Sequence, residues 1–158
     1  MKKTFMLNLF LALSWTFLSG RLDALNFIEG LILGFIILFL IRNIFGFEQY
    51  YYKLFKSVGF FFYVLKEIIL ANLEVAYDVV TPGKRMRPGV VGIPLDAKTN
   101  LEITLLANII TLTPGTLSLD ISHNKEILYV HTMYMRSADS FRREIKTGIE
   151  RRLLEVTR

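Results

Sequence analysis

Residues 99–119 read TNLEITLLANIITLTPGTLSL, and the fold turns on what that run becomes. By hydropathy alone, Ile103–Leu119 resembles a membrane span. Its punctuation says otherwise. Thr99-Asn100-Leu101-Glu102 has the S/T-x-x-E form of a capping box, in which the Thr hydroxyl and the Glu carboxylate satisfy backbone N–H groups reciprocally. Leu101, Leu105, Ile109 and Leu112 follow at helical spacing, and Thr113-Pro114-Gly115 stops the helix. About 13 uninterrupted helical residues reach roughly 20 Å, short of a hydrocarbon core about 30 Å thick. The run is expected as the buried helix of a small domain.

The flanking sequence agrees. Val90–Leu95 is a short β-branched run with Pro94 at its end, as suits the end of a strand. Thr116–Ile121 alternates, with Leu117, Leu119 and Ile121 on one face and Thr116, Ser118 and Asp120 on the other. Ser122–Lys125 is turn-like and Ile127–Tyr134 is the returning strand of a hairpin. Ser137–Asp139 caps a last helix whose apolar stripe is Phe141, Ile145, Ile149 and Leu153. Residues 90–158 are therefore expected as a small α+β domain, β-α-β-β-α, of truncated ferredoxin-like form.

Upstream the chemistry changes. Residues 1–80 hold seven Lys/Arg and six Asp/Glu, and residues 81–158 hold twelve and eight. Twelve of the 13 phenylalanines precede residue 63, while all four prolines follow residue 80. Residues 81–89, with Pro82-Gly83 and Pro88-Gly89 enclosing Lys84, Arg85 and Arg87, are expected as a basic linker.

Residues 1–80 are expected as a membrane region, with helices near 4–20, 27–44 and 54–80. The run Phe5–Ser19 follows Lys2 and Lys3 in the manner of a signal peptide, but no small-x-small cleavage site follows it. About 17 helical residues reach roughly 25 Å, enough for a thin or locally pinched bilayer. The second run, FIEGLILGFIILFLI at Phe27–Ile41, has one charge, Glu29, near its end. Gly30 and Gly34 form a small-xxx-small pair that would let another helix approach closely. With the turn Gly20–Asn26 the two runs make a helical hairpin.

The third helix carries a polar stripe. Glu67, Glu74 and Asp78 fall within about 40° of one another at 100° per residue, and Lys56 shares that side. Such a helix either lies in the interface with the stripe toward water, or spans with the stripe toward a protein partner or ion path. Lys2/Lys3, Arg42–Lys56 and Lys84–Arg87 are the three basic clusters. Two spans put all three on the cytoplasmic side, where positive charge collects, which favours the interfacial helix. Glu29, Glu67, Glu74 and Asp78 are thus candidates for ion or partner contact, against the plainer readings that Glu29 reaches the interface and the stripe faces water.

Composition excludes several function classes. Hydrophobic residues make up 53% of 158 residues with a net charge of +5, which is not a disordered chain. There are no cysteines, so disulfide and cysteine–zinc scaffolds are excluded. His123 and His131 do not have metal-motif spacing. No P-loop, G-x-S-x-G or dinucleotide fingerprint occurs, so no catalytic, cofactor or metal site is expected and the chain is not read as an enzyme. The basic helix Phe141–Arg158 is diluted by Glu144, Glu150 and Glu155, which favours a solvated face or anionic lipid over nucleic acid.

A family resemblance rests on Pro88–Asp96 (PGVVGIPLD), Leu101–Thr116, Leu128–His131 (LYVH) and Phe141–Lys146 (FRREIK). These stretches, with the apolar N-terminal hairpin and the charged linker, resemble the E subunit of the Mrp/Mnh multisubunit cation/proton antiporters. The likeness covers essentially the whole chain, and Thr113-Pro114-Gly115 is its most specific element. It implies a multi-pass bacterial plasma-membrane subunit with a cytoplasmic C-terminal domain, needed for assembly and activity. The implied partners are about six other polytopic subunits, whose helices the hairpin is expected to meet through its Gly30/Gly34 face, and the lipid bilayer, with Na+ and H+ as the ions the complex exchanges. It carries over no catalytic residue. The rival reading is a self-standing membrane-tethered domain that binds anionic lipid or nucleic acid.

Overall fold

The computed structural model describes residues 2–81, 86–135 and 137–158. Two compact units divide between Phe55 and Lys56. The sequence places the boundary at 81–89, of which 82–85 lie outside the described residues.

The first unit holds α1 (Lys2–Leu18), α2 (Ala24–Leu40), the short α3 (Arg42–Phe45) and the start of α4 (Glu48–Val80). α1 and α2 form the expected hairpin. Asp23 caps α2, its Oδ1 accepting from the Asn26 N–H at 2.8 Å. The Asn26 side chain ties the turn: its Nδ2 donates to Ser19 Oγ and to the Arg21 carbonyl, and its Oδ1 accepts from Trp15 Nε1 at 3.1 Å. Buried residues on α1 are Thr4, Asn8, Ala12 and Thr16, and on α2 Asn26, Gly30, Gly34 and Leu38. Both sets repeat every four residues, the ridge spacing that lets two helices interdigitate. A Cβ on Gly30 would lie 2.9 Å from the Ala12 carbonyl oxygen, and one on Gly34 would collide with Asn8 Oδ1. The small-residue face is therefore filled by the chain's own α1, which corrects the expectation that it meets other subunits.

No helix among the described residues is long and apolar enough to cross a membrane. α1 and α2 have 17 residues each, and at 1.5 Å per residue that is about 25 Å. The expected helix over 27–44 breaks after Leu40, where Ile41 leaves helical geometry, and α3 ends at Gly46 with φ +70°. Tyr51 at the start of α4 then packs under α2. Its hydroxyl donates to the Phe35 carbonyl at 3.0 Å, and its ring meets Phe35 and Phe39 edge-on.

The second unit is the α+β domain together with α4 from Lys56 onward. β1 (Gly89–Pro94), β2 (Thr116–Ile121) and β3 (Ile127–Thr132) make one antiparallel sheet in the order β1-β3-β2. α5 (Asn100–Leu112) crosses from β1 to β2 while β3 inserts between them, the split β-α-β arrangement of a ferredoxin-like sheet lacking its last strand. β3 stops at Thr132, two residues earlier than expected, and Tyr134 makes an isolated bridge with Arg87.

The last helix is α6 (Ala138–Ile145), a π-helical turn (Lys146–Glu150) and α7 (Arg151–Thr157). Phe141, Ile145, Ile149 and Leu153 are all buried. Four-residue steps in a uniform α-helix drift about 40° each. The wider π turn absorbs that drift and keeps all four side chains on the core. They meet Val91, Ile93, Leu106, Ile110, Leu128 and Val130 there, with Phe60 and Tyr63 of α4 packed alongside.

Candidate functional site

The turn that distinguishes this sequence is built from local bonds and one backbone bond from the end of β3. Thr113 ends α5, its N–H donating to the Ile110 carbonyl at 3.1 Å and its Oγ1 to the Ile109 carbonyl at 3.1 Å. Thr116 Oγ1 donates to the Ile110 and Thr113 carbonyls, closing the carbonyls a helix end leaves open. Gly115 sits at φ +86°, where a side chain is strained, and a Cβ there would lie 3.0 Å from the Tyr134 ring. The Gly115 carbonyl accepts from the Met133 N–H at 2.8 Å. Thr113, Pro114 and Gly115 thus stop α5, aim β2 and lay the backbone against Tyr134.

That turn forms one wall of a cleft of about 370 Å³ in the second unit. Glu67, Leu70, Ala71 and Glu74 of α4 form the opposite wall, and Tyr134, Ser140 and Glu144 complete it. Glu67, half-buried, and Glu74, exposed as the stripe was expected to be, thus line an open cleft beside the α+β domain. α4 is anchored there by Phe60 and Tyr63 on the core, by Arg152 over the Tyr63 ring at 4.3 Å, and by Lys56 Nζ to Glu155 Oε2 at 2.7 Å. The opposite side of α4 exposes Phe61, Phe62, Leu65, Ile69 and Leu73.

Asp78 is the most buried of the candidate carboxylates, with 9% exposure. Its carboxylate lies beside the Tyr134 hydroxyl, and the polar atoms of both are buried. Burial, followed by the nearby Asp78 carboxylate and the charge of Glu74, pushes the Tyr134 phenol up to about 12. Glu74 and Asp78 lie on one side of α4 near Tyr134, and Glu67 on the same side lies beside the Tyr63 hydroxyl. Glu29 is on α2 in the first unit, exposed. Among the described residues no group of three His, Cys, Asp or Glu is placed to hold a metal ion. His131 sits on β3 opposite Val90 and Leu117, and His123 is exposed in the β2–β3 turn.

Two buried glutamates brace the loop between β1 and α5. Glu102 completes the capping box and accepts from the Lys98 and Thr99 N–H groups at 2.9 and 3.1 Å and from Arg158 Nε at 3.2 Å. The Arg158 bond, then those backbone N–H groups, hold its carboxyl down at about 2. Glu150 Oε1 accepts from the Asp96 and Ala97 N–H groups at 2.6 and 3.0 Å. Lys146 pairs with Asp96 at 2.8 Å and Glu150 at 3.3 Å. Burial alone would lower the Lys146 ammonium, but those two carboxylates outweigh it and raise it. Glu102 was legible from its capping box. Glu150 and Glu144 were not, since uniform helical periodicity places no signal on them, and Tyr134 is read in the sequence only as the end of a strand. The four-residue repeat of Phe141, Ile145, Ile149 and Leu153 was the available hint of a widened turn.

Comparison with known proteins bears on the whole chain. Residues 8–156 match the MNHE family model, described as a Na+/H+ ion antiporter subunit. The chain is 40% identical over 153 residues to the E subunit of a Na(+)/H(+) antiporter of Bacillus subtilis (strain 168), covering 97% of each. Among solved structures it resembles a chain of the Mrp complex from Dietzia sp. DQ12-45-1b, with 29% identity and a TM-score of 0.51, over 65% of this chain and 96% of that one. It also resembles a chain of the membrane-bound sulfane sulfur reductase, an archaeal respiratory membrane complex. There the identity is 25% and the TM-score 0.52, over 97% of this chain and 98% of that one.

Proposed function

The chain belongs to the MNHE family of Na+/H+ ion antiporter subunits, and from that premise we propose that it is the accessory E-type subunit of a multisubunit monovalent cation/proton antiporter. Its task on this reading is assembly and activity of the complex, not catalysis of a covalent step and not formation of the main ion path. About six other polytopic subunits are its partners, and Na+ and H+ are the ions exchanged by the whole.

The observation that carries the reading is the end-to-end match, which includes both the helical hairpin and the α+β domain. The packing of the first unit supports a bilayer setting. Polar Thr4, Asn8, Thr16 and Asn26 are inside, while Phe5, Phe10, Phe17, Ile32, Ile36 and Leu40 are exposed. Small and polar residues between helices with large apolar residues outside is the arrangement lipid favours. Two helices of about 25 Å enter by locally thinning the bilayer, at a fraction of a kcal/mol per Å of mismatch. α4 lies at the interface with Phe61, Phe62, Leu65, Ile69 and Leu73 toward lipid. The basic clusters favour a cytoplasmic C-terminal domain.

Deletion of the chain from its host tests the proposal. Everted membrane vesicles are expected to lose Na+-driven proton exchange, and the remaining subunits to be recovered as an incomplete complex. Re-expression restores both. Vesicles that exchange normally and contain an intact complex without this chain would overturn it.

A further inference from the structure

Resting on the bilayer setting just proposed, the end of the hairpin away from its Gly20–Asn26 turn admits a more specific assignment. After α3 the chain turns back at Gly46, and the Phe47 N–H donates to the Arg42 carbonyl at 2.9 Å. Tyr51, seated against Phe35 and Phe39, fixes the start of α4 beside the end of α2. The result is a cleft of about 440 Å³ in the first unit, with Phe39, Tyr52 and Phe55 in its walls and Arg42, Asn43 and Glu48 as polar groups. Arg42 Nη1 donates to the Phe39 carbonyl at 3.0 Å, and the guanidinium carbon lies 3.8 Å from the centre of the Phe39 ring. Those contacts fix the plane of the fork and use one of its five N–H donors. Among the described residues no ion pair joins Arg42 to Glu48, or either of them to a third.

One cleft thus holds a cation and an anion that do not pair with each other. A simple ion satisfies one and is repelled by the other. A headgroup with a phosphate and an ammonium a few bonds apart satisfies both, because a guanidinium fork matches phosphate oxygens and an ammonium offers three donors to a carboxylate. Phosphatidylethanolamine has that headgroup. Phosphatidylglycerol has no cation, and the choline of phosphatidylcholine has no N–H. The position agrees, since aromatic and basic residues at the ends of membrane helices sit at headgroup level. Away from the cleft, α2 exposes Ile36, Ile37 and Leu40, a surface on which acyl chains can lie. We propose that this cleft binds a phosphatidylethanolamine molecule, its phosphate on Arg42 and Asn43, its ammonium on Glu48 and its acyl chains along α2.

Native mass spectrometry of the full-length chain tests this. The delipidated chain in mild detergent is offered equal amounts of phosphatidylethanolamine, phosphatidylglycerol and phosphatidylcholine. Phosphatidylethanolamine is expected to be retained about tenfold over either other lipid, the scale of an added charge-assisted contact. Arg42→Gln is expected to abolish that preference. Glu48→Gln is expected to bring phosphatidylethanolamine down to the level of phosphatidylglycerol, whose own retention stays unchanged. Arg143→Gln, exposed on α6, is expected to behave as wild type. A wild-type chain that prefers phosphatidylglycerol, or prefers none of the three, overturns the site. Folded Arg42→Gln or Glu48→Gln chains that keep the wild-type preference overturn it as well.

If those variants do not fold, the unaltered chain decides. Phosphatidylethanolamine with a photoreactive acyl chain is expected to label the end of α2 or the start of α4, and labelling confined to other segments overturns the proposal. Alkaline carbonate separates the two readings. A chain that it strips from membranes defeats the bilayer setting and the site with it, whereas a carbonate-resistant chain without the lipid preference defeats the site alone.

Discussion

In the first unit, helices meet through Thr4, Asn8, Ala12 and Thr16 against Asn26, Gly30, Gly34 and Leu38; in the second, the sheet and helices meet through Val91, Ile93, Leu106, Ile110, Val130 and Leu153. The first contact depends on how little stands between two backbones. The second depends on how much apolar side chain leaves water. Asn26, with both ends of its amide satisfied, does in the hairpin turn what a branched aliphatic does in the domain. A small-residue interface fails when atoms are added, and an aliphatic core fails when they are removed.

Four changes press on that contrast. Ile110→Ala removes a fully buried side chain from the domain core and is expected to cost about 2–5 kcal/mol. Denaturant unfolding followed by circular dichroism should move, while fluorescence of Trp15, the single tryptophan and a member of the hairpin, should keep its own transition. A coincident shift of both probes would erase the distinction between units.

Gly34→Leu does the converse. Its side chain has no room against Asn8 and Leu11, and overpacking is expected to cost about 1–3 kcal/mol. Here Trp15 emission should change, with the domain transition unaffected.

Glu102→Gln is expected to lower domain stability by about 1–3 kcal/mol at neutral pH, since it weakens charge-assisted bonds to a buried group. The carboxyl is depressed from an ordinary 4.5 to about 2 in the folded chain. Its contribution is therefore complete above the ordinary value and lost as pH falls toward 2. The gap between wild type and variant should close over that window, and a gap constant with pH would refute the assignment.

Lys56→Gln is the mildest. Its ion pair with Glu155 joins side chains 40% and 39% exposed, and such pairs contribute about 0–1 kcal/mol. A shift near the limit of measurement is expected, smaller still in high salt. A large loss would mean that α4 is held to the domain chiefly by that pair and not by Phe60 and Tyr63.

Local signals in the chain carried a good part of this fold. The capping box at Thr99 and Glu102, the stop at Pro114-Gly115, the alternation of Thr116–Ile121 and the stripe Phe141, Ile145, Ile149 and Leu153 each report a periodicity or terminus that short-range sterics and hydrogen bonding settle within a few residues. The Asp23 cap and the turn tied by Asn26 are equally local. The face Glu67, Glu74 and Asp78 share was legible too, because 100° per residue is a property of the helix itself.

What that face meets was not legible. One amphipathic pattern satisfies water, a partner or the chain's own domain, and the anchoring of α4 by Phe60 and Tyr63, with Arg152 and Lys56, set it along the cleft opposite Thr113-Pro114 and Tyr134. Likewise Gly30 and Gly34 invite any close helix, and tertiary structure alone assigned them to α1. The burial of Glu150 also waited on the fold, since it required a loop 53 residues upstream whose N–H groups had nowhere else to donate. Sequence sets which surfaces a helix offers; which of them finds a partner depends on distant segments competing for the same space.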